Sequence, residues 1–113
     1  MGMLSQICRE NGICLAEING ELSKLLGLEA PSGRGAGLAF RVEDTRVILY
    51  DPAAGRYEKQ FIVAHELAHH LFGHLEKGRA GQWERNEQEA NIFAAVFIAL
   101  SLFGMIPAAK QRR

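Results

Sequence analysis

The run Phe61-Ile62-Val63-Ala64-His65-Glu66-Leu67-Ala68-His69-His70-Leu71-Phe72 occupies the middle of this 113-residue sequence. Phe61, Ala64, Ala68, Leu71, Phe72 and Leu75 recur at three- and four-residue steps, which predicts an amphipathic helix from about Tyr57 to Lys77, ended by Gly78. Inside it lies His65-Glu66-Leu67-Ala68-His69, the pattern His-Glu-x-x-His. Residues four apart on a helix lie one above the other on the same face. Two imidazoles so placed can each offer a nitrogen to one zinc ion, at roughly 2.0 to 2.1 Å. Glu66 lies about 100° round the helix from His65. It flanks the metal without displacing a ligand, where a general base for a zinc-bound water belongs. The bland alternative is a pair of polar residues on a helix face, satisfied by water.

Two histidines leave zinc short of protein ligands, so a third is expected downstream. A second long helix should start near Gln82 or Trp83 and run to about Phe103, with Gly104 and Pro107 marking its end. Its first turns carry Glu87-Gln88-Glu89-Ala90-Asn91. Glu87 is the favoured third ligand over Glu89, although an acidic first turn is also explained by the helix dipole alone. Asn91, four residues after Glu87, shares its face and can support a ligand by a hydrogen bond. Glu89 points about 200° away from Glu87 and is expected to be solvated.

His70 and His74 are also four apart, and they are expected on a different side of the helix as surface or helix-end residues. His74 suits the negative end of the dipole. Tyr50 and Tyr57 are candidates for stabilising an oxyanion, with packing as the default for each. Trp83 reads as a packing residue at the start of the second helix.

Working outward, Leu38–Val42 and Arg46–Tyr50 predict two strands of a hairpin, joined by Glu43-Asp44-Thr45. Before them, Met3–Asn11 reads as a short helix closed by Gly12, Ile13–Ile18 as a short strand, and Glu21–Leu26 as a further short helix. Glu29 to Gly37, with Pro31, Gly33 and Gly35, reads as a surface loop. The segment Ile92 to Ile106 is almost wholly apolar, and it continues to Ala109 before the basic Lys110, Arg112 and Arg113. A membrane span needs roughly twenty such residues. A buried core helix is the preferred reading, and a membrane anchor the alternative.

Composition bounds the function. Hydrophobic residues make up 48% and charged residues 23%, the balance of an ordered globular chain. The length suits a single domain, residues 1–113, with one modest core. Thirteen basic and thirteen acidic side chains cancel, which argues against direct nucleic-acid binding, since that needs a basic excess or stripe. Cys8 and Cys14 follow a start that lacks the layout of a secretory signal, so a cytoplasmic chain with reduced thiols is expected.

Phe61 to His69, taken with Glu87-Gln88-Glu89-Ala90-Asn91 and Phe93-Ala94-Ala95, resembles the ImmA/IrrE family of zinc metallopeptidases. The resemblance covers roughly Gly37 to Ala95. It implies an α+β, zincin-like core in which two long helices carry the metal site beside a small sheet. It also implies a cytoplasmic zinc endopeptidase with His65, His69 and Glu87 as ligands, Glu66 as catalytic base and Asn91 in support. Members often cleave helix-turn-helix repressors, so such a repressor is the implied partner. The sequence departs from the family pattern after Ala95, where Val96-Phe97-Ile98-Ala99-Leu100 has no early proline, and the second helix should run longer. The attached DNA-binding or sensor domains of some relatives have no counterpart, so the chain reads as a catalytic core. The alternative is a catalytically silent metal-binding protein that regulates a repressor by binding it.

Overall fold

In a computed structural model, residues 1–19, 21, 24, 37–76 and 80–104 are described. Gly78, Pro107 and the basic tail lie outside them, as do most of the 21–26 helix and of the 29–37 loop. The chain opens with helix α1, Gly2–Glu10, which buries Leu4 and Cys8 four residues apart on one face. Asn11 caps it and Gly12 follows at φ +68°, a left-handed conformation that costs glycine nothing. Strand β1, Ile13–Glu17, comes next. Strands β2, Gly37–Val42, and β3, Thr45–Tyr50, form an antiparallel hairpin. Its connection is a two-residue turn, because Val42 pairs with Thr45, and Glu43 takes the positive φ of 54°. The expected three-residue loop is therefore one residue shorter.

β3 is the central strand, parallel to β1 on one side and antiparallel to β2 on the other. Ile48 and Leu49 are consecutive and both buried, so β3 loses water on both faces. That explains its unbroken apolar run where a half-exposed strand would alternate. Cys8 is buried and Cys14 exposed, and both thiols are free.

Helix α2, Arg56–Leu71, lies across the sheet. Asp51 Oδ1 accepts from the Ala53 N–H at 2.9 Å and turns the chain after β3. The Glu58 carboxylate then reaches back to the Gly55 N–H at 3.3 Å to hold the first turn of α2. Val63, Ala64 and Leu67 of α2 join Leu4 and Cys8 of α1, Ile13 of β1 and Ile48 of β3 in the core. Helix α3, Trp83–Leu102, follows a short 3₁₀ turn at Ala80–Gln82 and packs against α2. The buried alanines Ala64 and Ala68 on α2, and Ala90 and Ala94 on α3, give both helices small faces.

The order is thus sheet, then α2, then α3. Among the described elements α3 has only α2 and the 3₁₀ turn to lean on, and it makes no packed contact with the sheet. The expectation that Ile92 onward forms a buried core helix is corrected by this layering. The outer helix buries one narrow stripe, and Ile92 is 63% exposed and Phe103 79%. No helix of the described residues is long and apolar enough to cross a membrane.

Candidate metal centre

The two imidazoles of the His-Glu-x-x-His turn project from α2 on one face, their ring centroids 4.9 Å apart and nearly perpendicular. Glu87, in the second turn of α3, reaches across to both. Its Oε2 lies 2.8 Å from His69 Nε2 and its Oε1 3.2 Å from His65 Nε2. The two Nε2 atoms are 3.2 Å apart. One ligand atom from each of the three residues lies within 4.8 Å of the others. Three ligands held tetrahedrally at roughly 2.0 to 2.1 Å from one zinc ion would sit about 3.3 Å from each other. The separations found here match that spacing. Two imidazoles and a carboxylate also suit zinc by ligand type. The three groups stand close enough for one divalent cation to touch them all.

Burial supports the same chemistry. Desolvation holds the His69 pKa below its ordinary value, against the upward pull of the Glu87 carboxylate, and neighbouring His65 and His74 lower it further. A neutral imidazole is the form that binds metal. Desolvation, with a smaller push from the Glu87 charge, raises Glu66 to about 7. A bound cation opposes that shift, since a nearby positive charge favours the ionised carboxylate. Glu66 lies beside the trio and points into the same cleft.

That cleft, of about 580 Å³, runs between β2 and the two helices. Gly37 starts β2 at its floor. A Cβ there would overlap Ile62 Cγ2 and come within 3.1 Å of Glu66 Oε2. The Ile62 methyl sits on a stiff β-branched side chain and has little room to give. Gly37→Ala should therefore cost about 1–3 kcal/mol of stability, read as a lower urea midpoint; an unchanged midpoint would show that β2 can shift freely.

The end of α2 differs from expectation, and the difference brings a third histidine into the site. The helix stops at Leu71 rather than near Lys77. Gly73 takes φ +70°, its N–H donates to the His70 carbonyl at 3.3 Å, and the His74 N–H donates to the His69 carbonyl at 2.9 Å. This crossed pair is the Schellman arrangement, which folds the chain back over the last turn. His74 lands against His69, with Nδ1 to Nδ1 at 3.0 Å, and its Nε2 lies 2.6 Å from Glu89 Oε1. So His74 is buried at the site instead of sitting on another helix face, and Glu89 has a partner instead of only solvent. His70 is also buried, with Nε2 2.9 Å from the Val47 carbonyl, a tie between α2 and β3. Desolvation lowers its pKa, so the neutral Nε2–H form donates to that carbonyl.

Asn91, expected in support of a ligand, lies at the surface of α3. Asn91 is exposed and makes no hydrogen bond to the trio among the described residues. The buried stripe of α3 is Asn86, Ala90 and Ala94, and Glu87 and Asn91 lie about 100° off it. Glu87 is long enough to reach α2 from that flank; Asn91 is a methylene shorter. Asn86, which the sequence reading passed over, is the buried polar residue of α3 that lines the cleft. Trp83 is 68% exposed on the cleft rim rather than packed. Neither tyrosine lines the cleft: Tyr50 packs on the core and Tyr57 lies exposed beneath the Arg56 guanidinium.

The family model described as Peptidase_M78, the IrrE N-terminal-like domain, matches residues 24–113. The chain belongs to this family. The Peptidase_M78 match takes in β2, β3, α2 and α3, and so every residue of the metal site. Membership, with a His-His-Glu cluster able to hold a metal, points to a metallopeptidase-like protein. Neither the curated proteins nor the solved structures gave a significant match.

Proposed function

We propose that this chain is a zinc-dependent endopeptidase acting on a protein substrate, with a cytoplasmic helix-turn-helix repressor as the substrate class implied by its family. The observation that carries this reading is the convergence of His65, His69 and Glu87 beside Glu66, in an open cleft walled by a sheet edge. A zinc ion bound there supplies Lewis acidity, lowering the pKa of a water and polarising a carbonyl. His65 and His69 would hold it through Nε2 and Glu87 through its carboxylate. Glu66 accepts the proton of the attacking water on its carboxylate and returns it to the leaving amine. Gly37, Leu38 and Ala39 of β2 lie along the cleft, and among the described residues β2 is an edge strand. An extended peptide can pair with that edge, which positions a backbone with little demand on its side chains.

The test is incubation of the zinc-loaded chain with a purified helix-turn-helix repressor and with an unfolded casein-type protein, each with and without chelator. Chelator-sensitive fragments are the expected result. Stoichiometric zinc with no fragments from either protein would instead favour a silent metal-binding regulator.

A further inference from the structure

Beyond the three ligands, a second line of polar groups runs outward from His69 to the surface. His69 Nδ1 meets His74 Nδ1 at 3.0 Å, and His74 Nε2 meets Glu89 Oε1 at 2.6 Å. His74 is buried, its ring is edge-on to Phe72 at 5.7 Å, and its backbone is locked by the Schellman turn. The Arg85 guanidinium stands 3.9 Å from the other Glu89 oxygen. In the usual Schellman turn these two positions share an apolar contact. Here they share a hydrogen bond between two imidazoles, which keeps two buried polar rings partnered.

With a neutral imidazole at His74, the direction of every proton in this line follows from its outer end. An ionised carboxylate only accepts, so His74 Nε2 must carry the donated hydrogen. In neutral His74 the lone pair is then on Nδ1, so His69 Nδ1 must donate to it. That leaves His69 Nε2 bare, and it is the atom facing His65 Nε2 and Glu87 Oε2. A bare His69 nitrogen and the Glu87 carboxylate thus meet beside His65 Nε2, with room for a cation. His65 has no such support: its Nδ1 is buried without a hydrogen-bond partner among the described residues.

We propose that Glu89 and His74 form a positioning relay that fixes the tautomer and ring orientation of His69 and so sets the affinity of the site for its metal. The inference rests on the metal-site reading but not on peptidase activity. His69 is held before the metal arrives, and the metal need not select one tautomer from two. Polarisation along Glu89, His74 and His69 also makes the ligating nitrogen a stronger donor, as a carboxylate does for a ligating histidine directly. His74 and Glu89 are not themselves ligands, since His74 uses both ring nitrogens within the relay.

Zinc affinity of the full chain, measured by competition with a chromophoric chelator, tests this. Glu89→Gln and His74→Ala should each weaken zinc binding about 10- to 100-fold. The double variant should bind no more weakly than His74→Ala, because Glu89 acts only through His74. His74→Asn, whose amide oxygen can take the place of Nδ1 as acceptor, should recover part of the loss. Cobalt-loaded Glu89→Gln should show an altered visible spectrum, while its metal-free melting temperature stays near that of the wild type. Glu89→Gln alone is decisive if the alanine variant does not fold, since it keeps the shape of a partly exposed side chain. Zinc affinity of Glu89→Gln within twofold of wild type, or a double variant whose loss is the product of the single losses, would overturn the relay alone. A wild-type chain that binds no zinc would overturn the metal centre with it.

Discussion

Glu66→Gln is expected to retain one zinc per chain yet hydrolyse protein substrate about 10²- to 10⁴-fold more slowly, the range assigned to a positioned general base. The amide keeps the size of the carboxylate and loses only its ability to take a proton. Glu66 is not within the ligand trio, so metal content should not change. Equal rates in the two proteins would remove Glu66 from the chemistry. The same substitution carries a stability signature in the metal-free chain. Burial and the Glu87 charge raise Glu66 from 4.5 to about 7. The folded state therefore holds a proton that the unfolded state has already released, and this contribution is full below pH 4.5 and lost as pH rises through about 7. Glu66→Gln escapes that loss. Relative to wild type it should gain about 1–3 kcal/mol on going from acid to pH 8, measured by urea denaturation with chelator present. A pH-independent difference would mean that Glu66 is hydrated in the folded chain.

Glu87→Ala is expected to abolish tight zinc binding. Apparent zinc free energies of about 10–16 kcal/mol in four-ligand sites imply about 3 kcal/mol for each ligand, or roughly 10²-fold in affinity. The loss should appear in thermal melts too, since a ligand at a thousandfold excess over its Kd adds about 4 kcal/mol to stability. At that zinc concentration the wild-type melting temperature should rise strongly, while Glu87→Ala, with its roughly 10²-fold weaker site, should keep only about 1.4 kcal/mol of the gain. Glu89→Ala makes the comparison specific, because it keeps all three ligands and zinc should stabilise it more than it stabilises Glu87→Ala. If the two alanine variants exchanged these behaviours, Glu89 would be the ligand and the assignment of Glu87 would fall.

The fold was legible where one physical signal dominates a segment. The run Val47–Tyr50 reads as a strand from its β-branched and apolar residues, and its lack of alternation already hints at the two-sided burial found for Ile48 and Leu49. Gly12 ended α1 as expected. The misreading at the end of α2 has a specific cause. Leu75 continues the apolar period of Phe61 to Phe72, so periodicity alone carries the helix past Gly73, which in fact closes it. With the helix cut there, His74 leaves its apparent face and meets His69. Trp83 and Ile92 were misread for a related reason. Their apolar character signals burial only if a further layer covers α3, and no described element does so.

The order of residues within one helical turn determined His65, Glu66 and His69, because a four-residue repeat brings side chains together wherever the helix lies. Helical periodicity and strand patterning likewise predicted long helices beside a small sheet, and the family resemblance implied the α+β core. Glu87 was already preferred over Glu89 from the sequence, and the structure brings it to those imidazoles; the tertiary structure alone decided that Asn86 rather than Asn91 is buried beside them and that His74 and Glu89 extend the site outward. Those outcomes depend on the rotation of α3 about its axis against α2 and on where the chain turns between them. Spacing along one helix contains neither quantity; both are set by how Ala64, Ala68, Ala90 and Ala94 are buried between the two helices and by the left-handed turn at Gly73.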